Sequence, residues 1–116
     1  MERLKRRAQF INTSKGVRAG RETFTLQAIE RGDEHGPRVG FTVTKKTGNA
    51  VVRSRIRRRL RALCAGESGA FHKGTDYVVV ARRAALHAPF DDLARDLKSA
   101  VKAVRRKLDQ GVGTRA

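Results

Sequence analysis

The stretch Lys45-Lys46-Thr47-Gly48-Asn49-Ala50-Val51-Val52-Arg53-Ser54-Arg55-Ile56-Arg57-Arg58-Arg59-Leu60-Arg61 decides how the rest of the chain is read. Its first residues close a run that alternates apolar with small polar side chains, as a half-buried strand does. Gly48 supplies a turn. Asn49 is a favourable N-cap, because its side-chain oxygen can accept from an early helix N–H that lacks a partner. From there Val52, Ile56, Leu60 and Leu63 recur at helical spacing and form one apolar stripe. At about 100° per residue, Arg57, Arg58 and Arg61 fall well off that stripe. Arg53, Arg55 and Arg59 lie nearer its edges, where long stems cover apolar surface and the heads stay in water. The expectation is a strand, a tight turn, and a helix with one face for a core and the rest nearly all guanidinium.

Internal stabilisation explains such a helix poorly. Like charges four residues apart, such as Arg53–Arg57 and Arg57–Arg61, each cost a few tenths of a kcal/mol. The one nearby acid, Glu67, follows the expected helix end. Guanidinium forks onto phosphate through paired donors and stacks on bases. A solvated basic face is the plainer alternative, but so dense a one-sign helix fits a nucleic-acid footprint better.

The whole chain shares that bias. Lys and Arg number 27 against 11 Asp and Glu, a formal net charge of +16. The partner is therefore polyanionic, with nucleic acid ahead of an anionic membrane surface. The arginine helix has too small an apolar face for interfacial insertion, and no apolar run reaches the ~20 residues of a membrane span. At 116 residues, 39% of them hydrophobic, the chain makes a single RNA-binding domain with one modest core. Residues 1–7 read as a mobile basic arm and 110–116 as a disordered tail. The basic N-terminus has no apolar segment behind it, so it is not a secretory signal. One cysteine cannot form an internal disulfide, which suits a reducing, cytoplasmic setting.

Outward from the arginine helix, the elements follow from spacing. Ala8 to Lys15 reads as a short helix carrying Phe10 and Ile11, with Gly16 as its stop. A partner strand near Val17-Arg18 is weakly signalled. Glu22 to Ala28 alternates, with Phe24, Leu26 and Ala28 on one face and Thr23, Thr25 and Gln27 on the other. Arg38 to Lys45 repeats the pattern, with Val39, Phe41 and Val43 against Gly40, Thr42 and Thr44. The apolar faces should cover helices and the Thr-rich faces should be wet or free to bind. Asp76 to Ala81 is nearly all apolar and reads as a central strand. Pro89 opens a last helix at the first-turn position, with Phe90, Leu93, Leu97, Val101, Val104 and Leu108 as its stripe. The fold class is α+β: a small sheet of about four strands packed with helices in the order αβββαβα.

Self-contained catalysis finds no support in the residues. A metal nuclease needs clustered carboxylates, and a metal-free ribonuclease usually needs placed histidines. His35 and His72 fall in loops and His87 in a short connection, without ligand spacing. Asp91 and Asp92 suit their helix N-terminus. Glu30, Asp33 and Glu34 suit a solvated turn, and Cys64 suits a partly buried position. No catalytic and no metal-binding residue is assigned.

The run from Val43 to Arg61 resembles the signature of the bacterial ribonuclease P protein subunit: a strand ending in two lysines, a Gly-Asn-Ala-Val turn, then an arginine helix. The spacing matches without a gap, and Ser54 stands where that family carries Asn. The resemblance implies a protein that assists an RNA enzyme. The RNA subunit removes the 5′ leader of precursor tRNA by Mg²⁺-dependent hydrolysis, and the protein alone is not catalytic. It further implies a left-handed βαβ crossover, against the right-handed rule. Carried over by position, Lys45, Lys46, Asn49, Arg53, Arg55, Arg57, Arg58 and Arg61 would contact the catalytic RNA. Leader RNA would run between the first helix and the sheet, past Phe10, Thr25, Gln27, Thr42 and Thr44. Ser14 and Gln27 replace two of the family's cleft aromatics. Phe10 serves a core equally well on sequence alone. The implied partners are the catalytic RNA, one protein per RNA, and precursor tRNA, with no membrane and no small-molecule substrate. A basic structural RNA-binding protein of ribosomal type fits the composition as well; only the Lys-Lys-Thr-Gly-Asn-Ala-Val-Val-Arg-Ser-Arg run separates the two.

Overall fold

The alternation of Phe24, Leu26 and Ala28 with Thr25 and Gln27 becomes, in the computed structural model, a strand with one sealed face; the structure describes residues 1–111. The elements are β1 (Glu2–Arg3), α1 (Arg7–Ser14), β2 (Val17–Gly20), β3 (Phe24–Glu30), β4 (Arg38–Thr42), α2 (Ala50–Gly66), β5 (Thr75–Ala81) and α3 (Phe90–Asp109). Short 3₁₀ turns occupy Lys45–Thr47, Ser68–Ala70 and Arg83–Leu86. The strands form one mixed sheet in the order β1-β4-β5-β3-β2. β1 and β4 pair in parallel, as do β4 and β5, while β3 runs antiparallel to both β5 and β2.

Register fixes two faces. Val39, Tyr77, Ala28 and Val17 form one cross-strand row, and Phe41, Val79, Leu26 and Ala19 the next. These rows pack under Ile56, Leu60, Leu63 and Cys64 of α2 and Leu93, Leu97, Ala100, Val101, Val104 and Leu108 of α3. Fully burying one such aliphatic side chain contributes about 1.5–3 kcal/mol, so this double layer supplies most of the driving force. The opposite face carries the rows Gly40, Val78, Gln27, Arg18 and Thr42, Val80, Thr25, and receives α1.

Polar contacts set how the helices lie. Asp96 of α3 accepts from the Thr23 hydroxyl at 2.6 Å, and Arg105 pairs with Glu30 at 2.6 Å, so α3 is pinned at both ends of β3. At the base of the sheet Asp76 is only 3% exposed and pairs with Arg31 and Arg38, each at 2.7 Å. Arg31 also donates to Asp33 and to the carbonyls of Thr75, His35 and Gly36, tying down the loop between β3 and β4. Its hydrogen bonds hold the Asp33 carboxyl below the usual carboxylate range. Along the outer edge of β2, Lys107 donates to the Arg18 carbonyl at 2.5 Å and Arg21 to that of Gly20 at 2.7 Å.

Several expectations are corrected. The N-terminal arm is not free at its start: Glu2 and Arg3 pair with Arg38 and Val39, and the Leu4 N–H donates to the Val39 carbonyl at 3.2 Å. Leu4 is the reason, because it is an apolar anchor only 6% exposed. The sheet therefore has five strands, not four. Pro89 is the N-cap of α3 and not its first residue, and Phe90 is 46% exposed, off the apolar stripe. Gln110 and Gly111 continue as a turn after α3; residues 112–116 of the expected tail lie outside the described residues.

Candidate nucleic-acid interface

Local chemistry at the start of α2 matches its sequence. The Asn49 side-chain oxygen accepts from the Val52 N–H at 2.9 Å, so that oxygen is committed to the cap. Gly48 adopts φ +150°, where a Cβ would also meet Val52 at 2.7 Å, so the turn into the helix requires glycine. Lys45 and Lys46 occupy the 3₁₀ turn and are exposed, while Thr47, its last residue, is buried.

Along α2, Arg55, Arg58 and Arg61 are exposed, and Arg53, Arg57 and Arg59 are half-buried. Helical spacing puts Arg57 well off the packed stripe, yet its stem is partly covered. Among the described residues no carboxylate lies within 4.0 Å of any α2 arginine. Several acids of the chain are engaged elsewhere: Asp76 and Asp33 with Arg31, Glu34 with Lys73, Glu30 with Arg105, and Glu67 with Lys98. Among the described residues the cationic charge of α2 is therefore unpaired by any carboxylate. Desolvation and the nearby charges of Arg3 and Arg57 push the Arg61 guanidinium below its usual value. Arg59 is the exception in role, since it donates to the carbonyls of Ala85 and Ala88 and so fastens α2 to the connection after β5.

The second feature is a cleft of about 450 Å³ between α1 and the sheet. Phe10, Gln27 and Thr42 line it, as do Arg7, Ile11 and Ser14 of α1 and Val78 and Val80 of β5. Gly40 is what lets Phe10 sit down on the sheet, because a Cβ there would lie 2.6–2.7 Å from the Phe10 ring. Thr25 and Thr44 do not line the cleft. The Thr25 hydroxyl accepts from Arg82 at 3.1 Å on the same sheet face, and Thr44 lies beyond the end of β4 at the 3₁₀ turn.

Sequence reasoning missed several of these neighbours. Val78 and Val80 form the cleft floor, and Arg7 and Arg82 bring cations to it or near it. Arg83 donates to the Thr47 carbonyl at 2.8 Å, which adds a third cation beside the two lysines. Tandem arginines straight after a strand were the available signal.

A family model described as Ribonuclease P matches residues 1–105. The chain belongs to the ribonuclease P protein family. The ribonuclease P protein component of Brucella suis is 43% identical over 110 residues, covering 87% of this chain and 78% of that one. Two solved ribonuclease P proteins share the fold. The protein from Staphylococcus aureus superposes with a TM-score of 0.74 at 26% identity, covering 89% of this chain and 94% of that one. The one from Thermotoga maritima gives 0.73 at 26% identity, covering 91% and 97%. As a ribonuclease P protein, the chain is a subunit of a ribonucleoprotein endoribonuclease that processes tRNA, and an RNA partner follows from that membership.

His35, His72 and His87 are exposed. Burial pushes the Cys64 thiol up to about 12, far from a nucleophile's range. No three His, Cys, Asp or Glu side chains among the described residues gather to hold a metal ion. No described helix is long and apolar enough to cross a membrane.

Proposed function

We propose that α2 and the Lys45–Lys46 turn bind the catalytic RNA of ribonuclease P, and that the cleft under α1 receives the 5′ leader of precursor tRNA. One observation carries this reading: the guanidinium groups of α2 have no acidic partner among the described residues of their own chain. Lys45, Lys46, Arg53, Arg55, Arg57, Arg58 and Arg61 supply the phosphate contacts, and the Asn49 amide nitrogen remains as a donor beyond its cap. Mg²⁺ acts with the RNA subunit in hydrolysing the phosphodiester. The protein orients and holds the two RNAs in the cytoplasm, one protein per catalytic RNA, and does not itself cleave.

In the cleft, Phe10 presents an aromatic surface over an apolar floor of Val78 and Val80, with Gln27 and Thr42 as hydrogen-bonding groups. Stacking is worth ~1–3 kcal/mol per base, and Ser14 and Gln27 cannot supply it. Leader binding here leans more on hydrogen bonds, with Thr25 and Thr44 contributing only if the strand runs past the cleft ends.

Reconstitution with a bacterial ribonuclease P RNA tests the reading. The purified chain alone leaves precursor tRNA intact and restores its processing when added to that RNA at moderate Mg²⁺. Metal-dependent cleavage by the chain alone would overturn the division of labour. Combining Arg53→Ala with Arg55→Ala weakens binding and flattens its salt dependence, by ~0.7–0.9 in log–log slope for each phosphate no longer neutralised. An unchanged slope would remove these arginines from the interface.

A further inference from the structure

β1 does more than close a sheet edge. Register sets Glu2 opposite Arg38 and Arg3 opposite Val39. Val39 lies on the sheet face covered by α2, so Arg3 projects to that side and Glu2 to the other, as successive strand residues must. Glu2 accordingly sits where its charge is felt by Arg38. Arg3 and Arg61 line one cavity of about 250 Å³, with Val39, Phe41 and Cys64 beneath and Ser68 beside them. Glu2 also lines this cavity, yet among the described residues no carboxylate comes within 4.0 Å of Arg3, Arg57 or Arg61. Arg57 and Arg61 stand one helical turn apart on α2 and so present their heads side by side. Arg3 and Arg61 share this cavity, and Arg57, which does not line it, stands near enough on α2 for its charge, like that of Arg3, to be felt at Arg61.

Like charges gathered at a cavity oppose the strand that brings them together. β1 contributes only two residues to the ladder against that repulsion. The arrangement becomes favourable once an anion with several acceptor oxygens enters, since guanidinium donors pair with such oxygens in forks. We propose that Arg3 and Arg61, with Arg57 one turn away on α2, form one phosphodiester-binding site, completed by β1 and filled by RNA. The proposal rests on the reading of α2 as an RNA-binding helix and adds a residue from the other end of the sequence. Binding of the phosphodiester then fastens β1 to β4.

The test titrates the full chain and its Arg3→Ala, Arg61→Ala and double variants over a series of KCl concentrations. One arm uses the catalytic RNA alone, and the other uses precursor tRNA with the assembled ribonucleoprotein. Each single change is expected to weaken binding on the order of tenfold, as removal of one charge-assisted hydrogen bond does, and to lower the salt slope by about 0.7–0.9. The double variant is expected to lose little more, because one phosphate releases its counterions once. Loss in the first arm assigns the phosphodiester to the catalytic RNA, and loss in the second arm alone assigns it to the substrate. Fully additive losses overturn the shared site. Normal binding by Arg3→Ala beside weakened Arg61→Ala also overturns it, and leaves the α2 reading standing. Failure of the unaltered chain to bind the catalytic RNA takes both down. Arg3→Glu guards against simple misfolding: it should raise the Tm of the free protein by pairing with Arg61 while binding RNA more weakly than Arg3→Ala. A lowered Tm with normal RNA binding would refute the site.

Discussion

Arg59 and Arg58 are neighbours on one helix, and the structure assigns them opposite consequences. Arg59→Ala removes two charge-assisted hydrogen bonds, from its guanidinium to the carbonyls of Ala85 and Ala88. A hydrogen bond to a charged group contributes about 1.5–3 kcal/mol when its partners are desolvated. Arg59 is only half-buried, so water can reach the released carbonyls, and the lower end of that range applies to each bond. Losing Arg59 also relieves like-charge repulsion with its helical neighbours, by a few tenths of a kcal/mol. The net expectation is a destabilisation of about 2–3 kcal/mol. Arg58→Ala removes an exposed head with no acidic partner among the described residues and should leave stability within about 0.5 kcal/mol of the parent. Urea unfolding followed by circular dichroism measures both, and an unchanged m-value shows that the unfolded states are comparable. Filter binding to the catalytic RNA should reverse the order, with Arg58→Ala the weaker binder under conditions where both are folded. If Arg59→Ala costs less than about 0.5 kcal/mol and loses RNA affinity as Arg58→Ala does, the distinction between a fastening and a binding arginine is wrong.

Three other outcomes are expected. Gly40→Ala forces the Phe10 ring to move, since the new Cβ would lie 2.6–2.7 Å from it; the cost of about 1–3 kcal/mol should shrink markedly when tested in a Phe10→Ala background. Asp76→Asn leaves Arg31 and Arg38 without their shared counter-charge in a site where Asp76 is 3% exposed, a loss of about 3 kcal/mol by urea unfolding. Cys64, pushed up to about 12 by burial, should react with a thiol reagent at pH 8 only when urea is present. The folded chain keeps this proton while the unfolded chain releases it from about pH 8.5 upward. Stability linked to this group is thus complete below that pH and declines as pH rises toward 12, and Cys64→Ala should flatten the decline.

Much of α2 was legible because each signal acts locally. The Asn49 cap, the Gly48 turn and the apolar stripe depend on residues close by along the chain. The family signature lies in the same run. β1 was not legible, since two residues carry no periodicity and Leu4 has meaning only once β4 lies beside it. The role of Arg59 is equally non-local, as its acceptors lie 26 and 29 residues away. Alternation correctly separated Thr25, Gln27 and Thr42 from the core face, but it says nothing about where along the strands α1 crosses. That position decides that Gln27 and Thr42 line the cleft and Thr25 does not. The floor residues Val78 and Val80 were hidden by composition, because an all-apolar strand reads alike whether its second face is covered or open.

The plugged carbonyls along β2 matter most after assembly. A chain carrying +16 keeps its copies apart by mutual repulsion, but that protection vanishes once a polyanion cancels the charge. With Lys107 and Arg21 stoppering one margin and a stub of two residues at the other, a neutralised particle still offers a neighbouring molecule little template for strand-to-strand growth. Resistance to aggregation is thereby written into the flanks of the sheet and does not lapse when the protein does its work.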